Sequence, residues 1–349
     1  MSMSKEDLTE IASLCGSEEP AKVARGYNRA IACMGREPEA RRLAAAAYDR
    51  GRALDGRRQK FGTATIHCDG QIQLWPCEPR TTDSERAKWG LPSLAKLVDR
   101  ASEESVVGKT PLRRLARARR RALSSEHRTN ADFAAAGLTA LEDLVDASSI
   151  LGVYWPLPDE ADPRPLARAL RDHCGARLAL PVTLEGEGEM EFRIWSEHSD
   201  LVDAGYGTLG PAGDSDPGAP APTGVTEKNG PPAQAVDPAI AGSSAGSSAG
   251  SSAGSSAGSS AGSSGRCEPT IVLVPLVAFD ADGRRLGQGK GYYDRALHGD
   301  VLAVGVAFAC QELSAVPTEA HDRYLDAAVT EDGFRWFAEG PSTAAGRSR

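Results

Sequence analysis

The residues most able to do chemistry lie in one glycine-rich segment of the sequence. Three glycines alternate at Gly287, Gly289 and Gly291, and Arg285 and Lys290 add positive charge beside them. Glycine lets backbone N–H groups turn toward a ligand and lets that ligand approach closely. Successive N–H groups that point inward form a concave site for anions. The segment therefore predicts a site that binds phosphate groups.

A carboxylate and a helix complete this predicted phosphate site. Asp294 follows the glycines closely, and a carboxylate beside bound phosphates is a usual ligand of Mg²⁺. Residues 291–297 are expected to begin a helix, whose N-terminal end favours anions. A nucleoside triphosphate with its metal ion would suit all of these features.

Two familiar phosphate-binding motifs fit the segment poorly. The P-loop requires Ser or Thr directly after its lysine, whereas Gly291 follows Lys290 here. The dinucleotide-binding fingerprint requires its third glycine one residue later than Gly291. A glycine-rich turn without a ligand is the remaining alternative, and the flanking Arg, Lys and Asp side chains argue against it.

Hydrophobic patterns predict the elements that must position these residues. Segments typical of helices are 5–14, 21–34, 39–54, 91–102, 109–128, 131–145, 163–173 and 291–297. Runs typical of strands are 63–67, 71–75, 150–155, 177–182, 189–195, 270–274 and 301–308. Asp69-Gly70 predicts a tight hairpin between the first two strands. The alternation of helices and strands after residue 109 predicts an α/β sandwich.

Composition divides the sequence into stretches. Residues 1–107 predict a small, mostly helical domain with one hairpin and no assigned function. Residues 108–211 and 266–340 together have the size of one domain, which residues 212–265 interrupt. This interruption is rich in Gly, Ser, Ala and Pro and contains six tandem Ala-Gly-Ser-Ser repeats, so we expect a flexible coil. The tail, 341–349, is expected to be disordered.

Overall composition restricts the class of protein. The 349 residues carry a net charge of −8, which argues against a surface coated by nucleic acid. No apolar run is long enough to predict a membrane-spanning helix, and the polar first residues contain no signal-peptide centre. The seven cysteines are scattered without a C-x-x-C pattern, which is typical of reduced thiols. We therefore expect a cytoplasmic protein.

The glycine-rich segment resembles the hallmark of a known family, the 5-formyltetrahydrofolate cyclo-ligases, also called methenyltetrahydrofolate synthetases. The matching residues are Pro275, Phe279-Asp280, Gly283, Arg285-Leu286-Gly287 and Gly289-Lys290-Gly291-Tyr292-Tyr293-Asp294. Later blocks of the family follow in order at Gly305-Val306-Ala307-Phe308, Val316-Pro317, His321-Asp322 and Val329-Thr330-Glu331.

The resemblance continues on the other side of the inserted coil, so that it covers roughly 109–211 and 266–335. The family landmarks there are Lys109 and Arg113 at the start of a basic helix, Tyr154 to Glu160 after a strand, Leu180-Pro181-Val182, and Tyr206-Gly207. One departure is Gly210-Pro211, which stands where the family often has Glu-Pro.

The resemblance implies a fold and an activity. The fold would be a three-layer α/β/α domain with a mostly parallel central sheet, preceded here by the small helical N-terminal domain. The activity would be the ATP- and Mg²⁺-dependent conversion of 5-formyltetrahydrofolate to 5,10-methenyltetrahydrofolate, with release of ADP and phosphate. Phosphorylation of the formyl oxygen would create a good leaving group, and N10 of the folate would attack the activated carbon.

The resemblance also implies roles for particular residues. Catalysis is expected of Lys290, Tyr292 and Arg285. ATP is expected to contact Lys109, Arg113, Arg285, Leu286, Gly287, Gln288, Gly289, Lys290, Gly291, Tyr292 and Tyr293. The folate is expected to contact Trp155, Glu160 and Tyr206, and Mg²⁺ is expected to bind Asp294 and Asp322.

Other functions stay open on the residues alone. A nucleic-acid-binding protein could use the basic helix 109–121, although that run contains no interleaved aromatic residue. A catalytically weakened regulator could bind folate or nucleotide, although Lys290, Asp294 and Asp322 are retained. The sequence Asp159-Glu160-Ala161-Asp162 spells a helicase metal motif, but no P-loop accompanies it. We expect a folate as the small-molecule partner, no nucleic acid, no membrane, and a monomer.

Overall fold

The computed structural model describes residues 4–98, 106–130, 132–184, 189–205, 207–212 and 266–337. The predicted coil, apart from Ala212, and the predicted tail lie outside these residues. The helices are α1 (Lys5–Cys15), α2 (Pro20–Cys33), α3 (Pro38–Leu54), α4 (Asp83–Lys88), α5 (Leu94–Val98), α6 (Lys109–Ala122), α7 (Ser125–Asn130), α8 (Phe133–Leu141), α9 (Arg164–Cys174) and α10 (Tyr292–Ala296). The strands are β1 (Thr65–Cys68), β2 (Gln71–Leu74), β3 (Ile150–Gly152), β4 (Arg177–Thr183), β5 (Met190–Trp195), β6 (Leu201–Asp203), β7 (Leu209–Pro211), β8 (Arg266–Cys267), β9 (Ile271–Pro275), β10 (Ala278–Phe279), β11 (Arg285–Leu286), β12 (Leu302–Val306), β13 (Ala327–Thr330) and β14 (Gly333–Trp336).

A mixed sheet forms the centre of the fold. Its strand order in the described part of the chain is β14-β13-β12-β9-β3-β4-β5-β8. The five neighbours from β13 to β4 are parallel, whereas β14 and β5 pair antiparallel with the strands beside them. The predicted mostly parallel central sheet is therefore confirmed, with the antiparallel pairs toward its edges.

Both faces of this sheet are buried, as β9 illustrates. Its residues Ile271 and Leu273 belong to a core that includes side chains of α8 and α9. The alternate residues Val272 and Val274 belong to a second core, together with Leu297 at the end of α10. A continuous apolar run is the pattern expected of a parallel strand that is covered on both faces. The helix–sheet–helix layering predicted for this region follows from it.

The N-terminal helices and hairpin share a core with residues from far along the chain. Ile11, Ala44 and Trp75 pack in one cluster with Leu112 of α6 and with Leu313. The described residues before and after the coil form one compact unit. A mostly helical N-terminal region with one hairpin is thus present, while its separation as a domain of its own stays a prediction.

The basic helix ends earlier than the sequence pattern indicates. The pattern predicts one helix over 109–128, whereas α6 ends at Ala122 and α7 begins at Ser125. Leu123 between them has an extended backbone, and Ser124 Oγ accepts a hydrogen bond of 3.0 Å from the His127 N–H. A serine that caps the next helix competes with continuation of the previous one. Within the described ranges, no helix is both long and apolar enough to cross a membrane.

Candidate active site

A cavity of about 540 Å³ opens at the carboxyl ends of β3, β4 and β9. Open α/β sheets generally bind ligands at this edge. Residues of α6, the glycine-rich segment and the chain after β3 border it. Every site residue predicted from the sequence borders this cavity except Tyr206, which lies outside the described residues.

The glycine-rich segment adopts a backbone that only glycine tolerates easily. Gly289 has a φ of 100° and Gly291 a φ of 71°, so a side chain at either position would strain the backbone. Helix α6 holds the segment in place, because Arg113 Nε donates a 2.9 Å hydrogen bond to the Gly287 carbonyl. Arg117 also donates to the Gln288 side chain. The predicted loop is therefore joined to the predicted cationic helix.

A buried ion pair lies beneath this loop. The Arg285 guanidinium donates to Asp294 Oδ1, and its side chain is only 4% exposed. Burial lowers the pKa of Arg285, although the nearby Asp294 carboxylate opposes this shift. Asp294 Oδ1 also accepts a 3.2 Å hydrogen bond from the Arg323 N–H. The pair fixes a positive and a negative group at the border of the cavity.

A second ion pair stands at the start of α6. Lys109 Nζ donates to Asp322 Oδ2 at 2.8 Å and to Glu319 Oε1 at 2.9 Å. Burial by itself lowers the pKa of Lys109, but these two carboxylates outweigh it and raise the pKa overall. Burial by itself raises the pKa of Asp322, but the hydrogen bond from Lys109 brings it below its usual value. Both groups are therefore charged near neutral pH.

The two carboxylates predicted to bind a metal ion border the same cavity. Asp294 and Asp322 offer oxygen ligands, and Mg²⁺ is usually held by one or two carboxylates together with substrate phosphates. Among the described residues, no three or more His, Cys, Asp or Glu side chains are grouped as metal ligands. The two carboxylates thus fit a Mg²⁺ ion that arrives bound to phosphate groups. They do not by themselves form a complete protein site for a metal ion.

Glu160 belongs to a polar network that is connected to the loop. Gln288 Nε2 donates to Glu160 Oε1 at 3.1 Å, and the Leu157 N–H donates to Glu160 Oε2 at 3.2 Å. The Arg120 guanidinium stands 3.7 Å from Glu160 Oε1. Glu160 is consequently held as an acceptor that faces the cavity edge, although its side chain is only 7% exposed.

Aromatic side chains form much of the remaining wall. The Trp155 ring has the Arg164 guanidinium 4.5 Å from its centroid and meets Trp195 edge-on. Burial raises the pKa of Tyr293, and the nearby Glu160 carboxylate raises it further. Tyr154 OH donates a 2.6 Å hydrogen bond to the Ala161 carbonyl. Burial also raises the pKa of Tyr154, so both phenols are protonated near neutral pH.

The sequence reasoning missed several residues that border the cavity. They are Tyr154, Leu157, Pro181, Thr183, Met190, Ala204, Gly205, Thr208, Pro275, Arg295, Glu319 and His321. Tyr154, Leu157, Pro181, Pro275 and His321 lie in the family landmarks quoted above, although no site role was assigned to them. Most of the others are apolar or small, and no local pattern distinguishes them from ordinary core or loop residues. The charge pattern could have indicated Glu319, because it lies beside His321 and Asp322.

Gly210, where the sequence departs from the family pattern, lies in a crowded place. A Cβ atom at this position would lie 3.0 Å from the Ala204 Cβ, the Pro181 carbonyl oxygen and Val182 Cγ2. These contacts are tighter than ordinary van der Waals contact, so the neighbouring residues would have to give by a few tenths of an ångström to accept a side chain here. The sequence therefore departs from the pattern that the resemblance implies at a position where a larger side chain would be crowded.

Arg120 is expected to stabilise the fold through Asp159 and Glu160. Its side chain is 3% exposed, and Nη2 donates to Asp159 at 3.1 Å. Because removal of one partner from a buried pair leaves a charge uncompensated, Arg120→Met should lower the free energy of unfolding by about 3 kcal/mol. Arg121→Met is the matched control, since Arg121 is 72% exposed and 3.9 Å from the same Asp159. Urea unfolding of both variants checks this, and equal losses would contradict it.

The fold and the cavity together define an α/β protein with a candidate ligand site at the carboxyl ends of its parallel strands. Residues 255–331 match the model of the 5-formyltetrahydrofolate cyclo-ligase family, which confirms the resemblance over this segment. The glycine-rich segment lies within this matched region.

Individual relatives match the chain over short regions. It is 46% identical over 59 residues to the 5-formyltetrahydrofolate cyclo-ligase of Haemophilus influenzae, which is 16% of this chain and 32% of the relative. It is 45% identical over 64 residues to that of Escherichia coli K12, which is 17% of this chain and 35% of the relative. The matched region spans about a third of the length of these curated relatives.

Two solved structures are also similar. The NMR structure of Aquifex aeolicus 5,10-methenyltetrahydrofolate synthetase is 25% identical and has a TM-score of 0.44, with 67% of this chain and 95% of that chain covered. The 5,10-methenyltetrahydrofolate synthetase from Mycoplasma pneumoniae is 17% identical and has a TM-score of 0.39, with 64% and 99% covered.

Proposed function

We propose that the protein converts 5-formyltetrahydrofolate to 5,10-methenyltetrahydrofolate with consumption of ATP. The observation that carries this proposal is that the family-matching loop and the predicted folate contacts Trp155 and Glu160 border one cavity. A volume of about 540 Å³ is within the range of small-molecule sites. The cavity thus offers cations for phosphates and an acceptor for a folate ring in one place.

The chain's own residues would divide the work between the two ligands. Lys109, Arg113 and Lys290 would bind the phosphates of ATP, since preorganised cations favour charge on a transferring phosphoryl group. Glu160 would accept a hydrogen bond from the pterin ring, and Trp155 would pack against it. Asp294 and Asp322 would hold Mg²⁺, whose chemistry when bound is to neutralise phosphate charge.

The reaction balances as two successive substitutions. The formyl oxygen of the folate attacks the γ-phosphorus of ATP, the bond to the β-phosphate oxygen breaks, and ADP leaves. N10 then attacks the activated formyl carbon and loses its proton to solvent, the bond between that carbon and the phosphorylated oxygen breaks, and the oxygen leaves as part of inorganic phosphate. Lys290 and Arg285 would favour both steps because their charge is close to the oxygens on which negative charge develops.

Absorbance at the methenyl-folate band tests the proposal directly. Purified protein with 5-formyltetrahydrofolate, Mg²⁺ and ATP should produce a rising band and release phosphate in equal amount. Omission of ATP, or its replacement by ADP, should prevent the rise. Folded protein that binds ATP but produces neither the band nor phosphate would contradict the proposed activity.

A further inference from the structure

The tip of the N-terminal hairpin touches a loop that borders the cavity. Asp69 and Gly70 form the turn between β1 and β2, with φ angles of 52° and 77°. Two successive positive φ angles are typical of the turns that join tightly paired strands. This turn fixes the direction of the Asp69 carboxylate, which points to the loop formed by residues 317–326.

Asp69 bonds to both ends of this loop. Toward its beginning, Thr318 Oγ1 donates to Asp69 Oδ1 at 3.2 Å, and the Thr318 N–H donates to the His67 carbonyl at 2.9 Å. Toward its end, Tyr324 OH lies 2.9 Å from Asp69 Oδ1 and 2.8 Å from Oδ2. One carboxylate therefore bridges the two ends of the loop across its base.

Three of the loop residues between these two contacts border the cavity. They include Glu319 and Asp322, which together hold the Lys109 ammonium. The loop is also closed internally, because the Glu319 N–H donates to Asp322 Oδ2 at 2.9 Å. A displacement of the loop base would therefore shift both carboxylates and the lysine that they hold.

The same loop reaches the buried ion pair beneath the glycines. The Arg323 N–H donates to Asp294 Oδ1, and the Arg323 carbonyl accepts a 3.0 Å hydrogen bond from Arg285 Nε. Arg323 directly precedes Tyr324, which Asp69 holds. Through this one short segment, the hairpin tip is thus connected to both ion pairs of the cavity, Arg285 with Asp294 and Lys109 with Asp322.

We propose that Asp69 is a positioning residue for the cavity, which it serves by fixing both ends of the loop 317–326 that carries Glu319 and Asp322. This inference rests on the proposed function for its kinetic consequence. It gives the N-terminal region, whose role the sequence leaves unassigned, a part in the alignment of Lys109. The hairpin acts through the loop and touches no ligand itself.

Asp69→Asn tests this role with little risk to the fold. Asparagine tolerates a positive φ, so the turn should persist while the charge and one acceptor oxygen are lost. We expect kcat/KM for ATP to fall about three- to tenfold, since the lost bonds orient the loop without touching substrate. Deuterium exchange of the amides in 317–326 should accelerate, because the Thr318 and Tyr324 contacts weaken. The melting temperature should change little, since Asp69 is exposed.

Two further variants make the test specific. Tyr324→Phe removes the hydroxyl that donates to Asp69, and it should reproduce both the kinetic loss and the faster exchange. Asp300→Asn is the matched control, because Asp300 is an exposed aspartate in a turn that does not border the cavity. Its kinetics and loop exchange should equal those of the wild type.

The outcomes separate this inference from the proposed activity. Unchanged loop exchange in Asp69→Asn and Tyr324→Phe overturns the inference, as does faster exchange with unchanged kinetics. If the wild type binds ATP by calorimetry but forms no methenyl product, the proposed activity fails. The inference is then decided by loop exchange and by the ATP dissociation constant, which should rise about three- to tenfold in Asp69→Asn.

Discussion

Lys290→Ala is expected to lower kcat for methenyl-folate formation by about 10²- to 10³-fold. Lys290 is exposed on the glycine-rich loop at the cavity, and its ammonium would face the oxygens of the transferring phosphoryl group. The interaction of a preorganised cation with these oxygens is stronger in the transition state than in the ground state. KM for ATP should therefore change much less than kcat. Stopped-flow or steady-state absorbance assays measure both constants.

Two further lysine variants show whether the loss of kcat in Lys290→Ala comes from the missing charge at the cavity. Lys290→Arg should recover part of the rate, because the charge remains while its geometry differs. Lys88→Ala is the control, since Lys88 is exposed at the end of α4 and does not border the cavity. A Lys290→Ala protein with nearly full kcat would remove this residue from the catalytic group.

Lys109→Met is expected to lower kcat/KM for ATP by about tenfold to hundredfold, because it removes a charged hydrogen-bond donor to phosphate. The methionine has a similar length without the ammonium. Its second effect falls on Asp322, whose pKa is lowered in the wild type by the hydrogen bond from Lys109 against the opposing effect of burial. Without the lysine, the pKa of Asp322 should rise.

The pH dependence gives this variant a distinct signature. A carboxylate whose pKa is lowered on folding contributes stability above its unfolded pKa and loses it as pH falls through the folded pKa. For Asp322 this loss begins below its usual value of 3.8 in the wild type. In Lys109→Met the folded pKa of Asp322 is no longer held below its unfolded value, so the acid-induced loss of stability that Asp322 contributes should shrink, while the acid limb of kcat/KM should move to higher pH.

Melting temperatures and kinetics between about pH 3 and about pH 8 measure these limbs. Lys22→Met is the control, because the Lys22 ammonium pairs with Glu19 at 2.6 Å on the exposed surface. Its profile should superimpose on that of the wild type. An unchanged acid limb in Lys109→Met would mean that the pair with Asp322 does not control the titration of this carboxylate.

The parts of the site that could be predicted are those with local signals. The alternating glycines predicted an unusual backbone, and Gly289 and Gly291 do have positive φ angles. The Asp69-Gly70 pair predicted a tight hairpin, because these residues accept the φ angles that its turn requires. Helices α1 to α3 were likewise visible in apolar spacing, to within two residues at their ends.

The parts that could not be predicted depend on packing between distant segments. Asp69 meets Thr318 and Tyr324 only because the N-terminal hairpin packs against the chain that follows β12, and no local pattern contains that contact. Arg120 belonged to a run of cations typical of a solvated face, yet its side chain is buried against Asp159. The short strands β6, β7, β10 and β11 are too brief to show a periodic pattern.

The shared N-terminal core also has a consequence for synthesis on the ribosome. Ile66 and Trp75 pack with Leu286 and Leu313, which are made long after them. At about 5–20 residues per second, a delay of roughly 250 residues between Ile66 and Leu313 lasts roughly 10–50 s. During this time the nascent N-terminal helices present an apolar face without its final partners. We therefore expect that the growing chain engages chaperones, and that truncation before Leu313 yields an aggregation-prone N-terminal fragment.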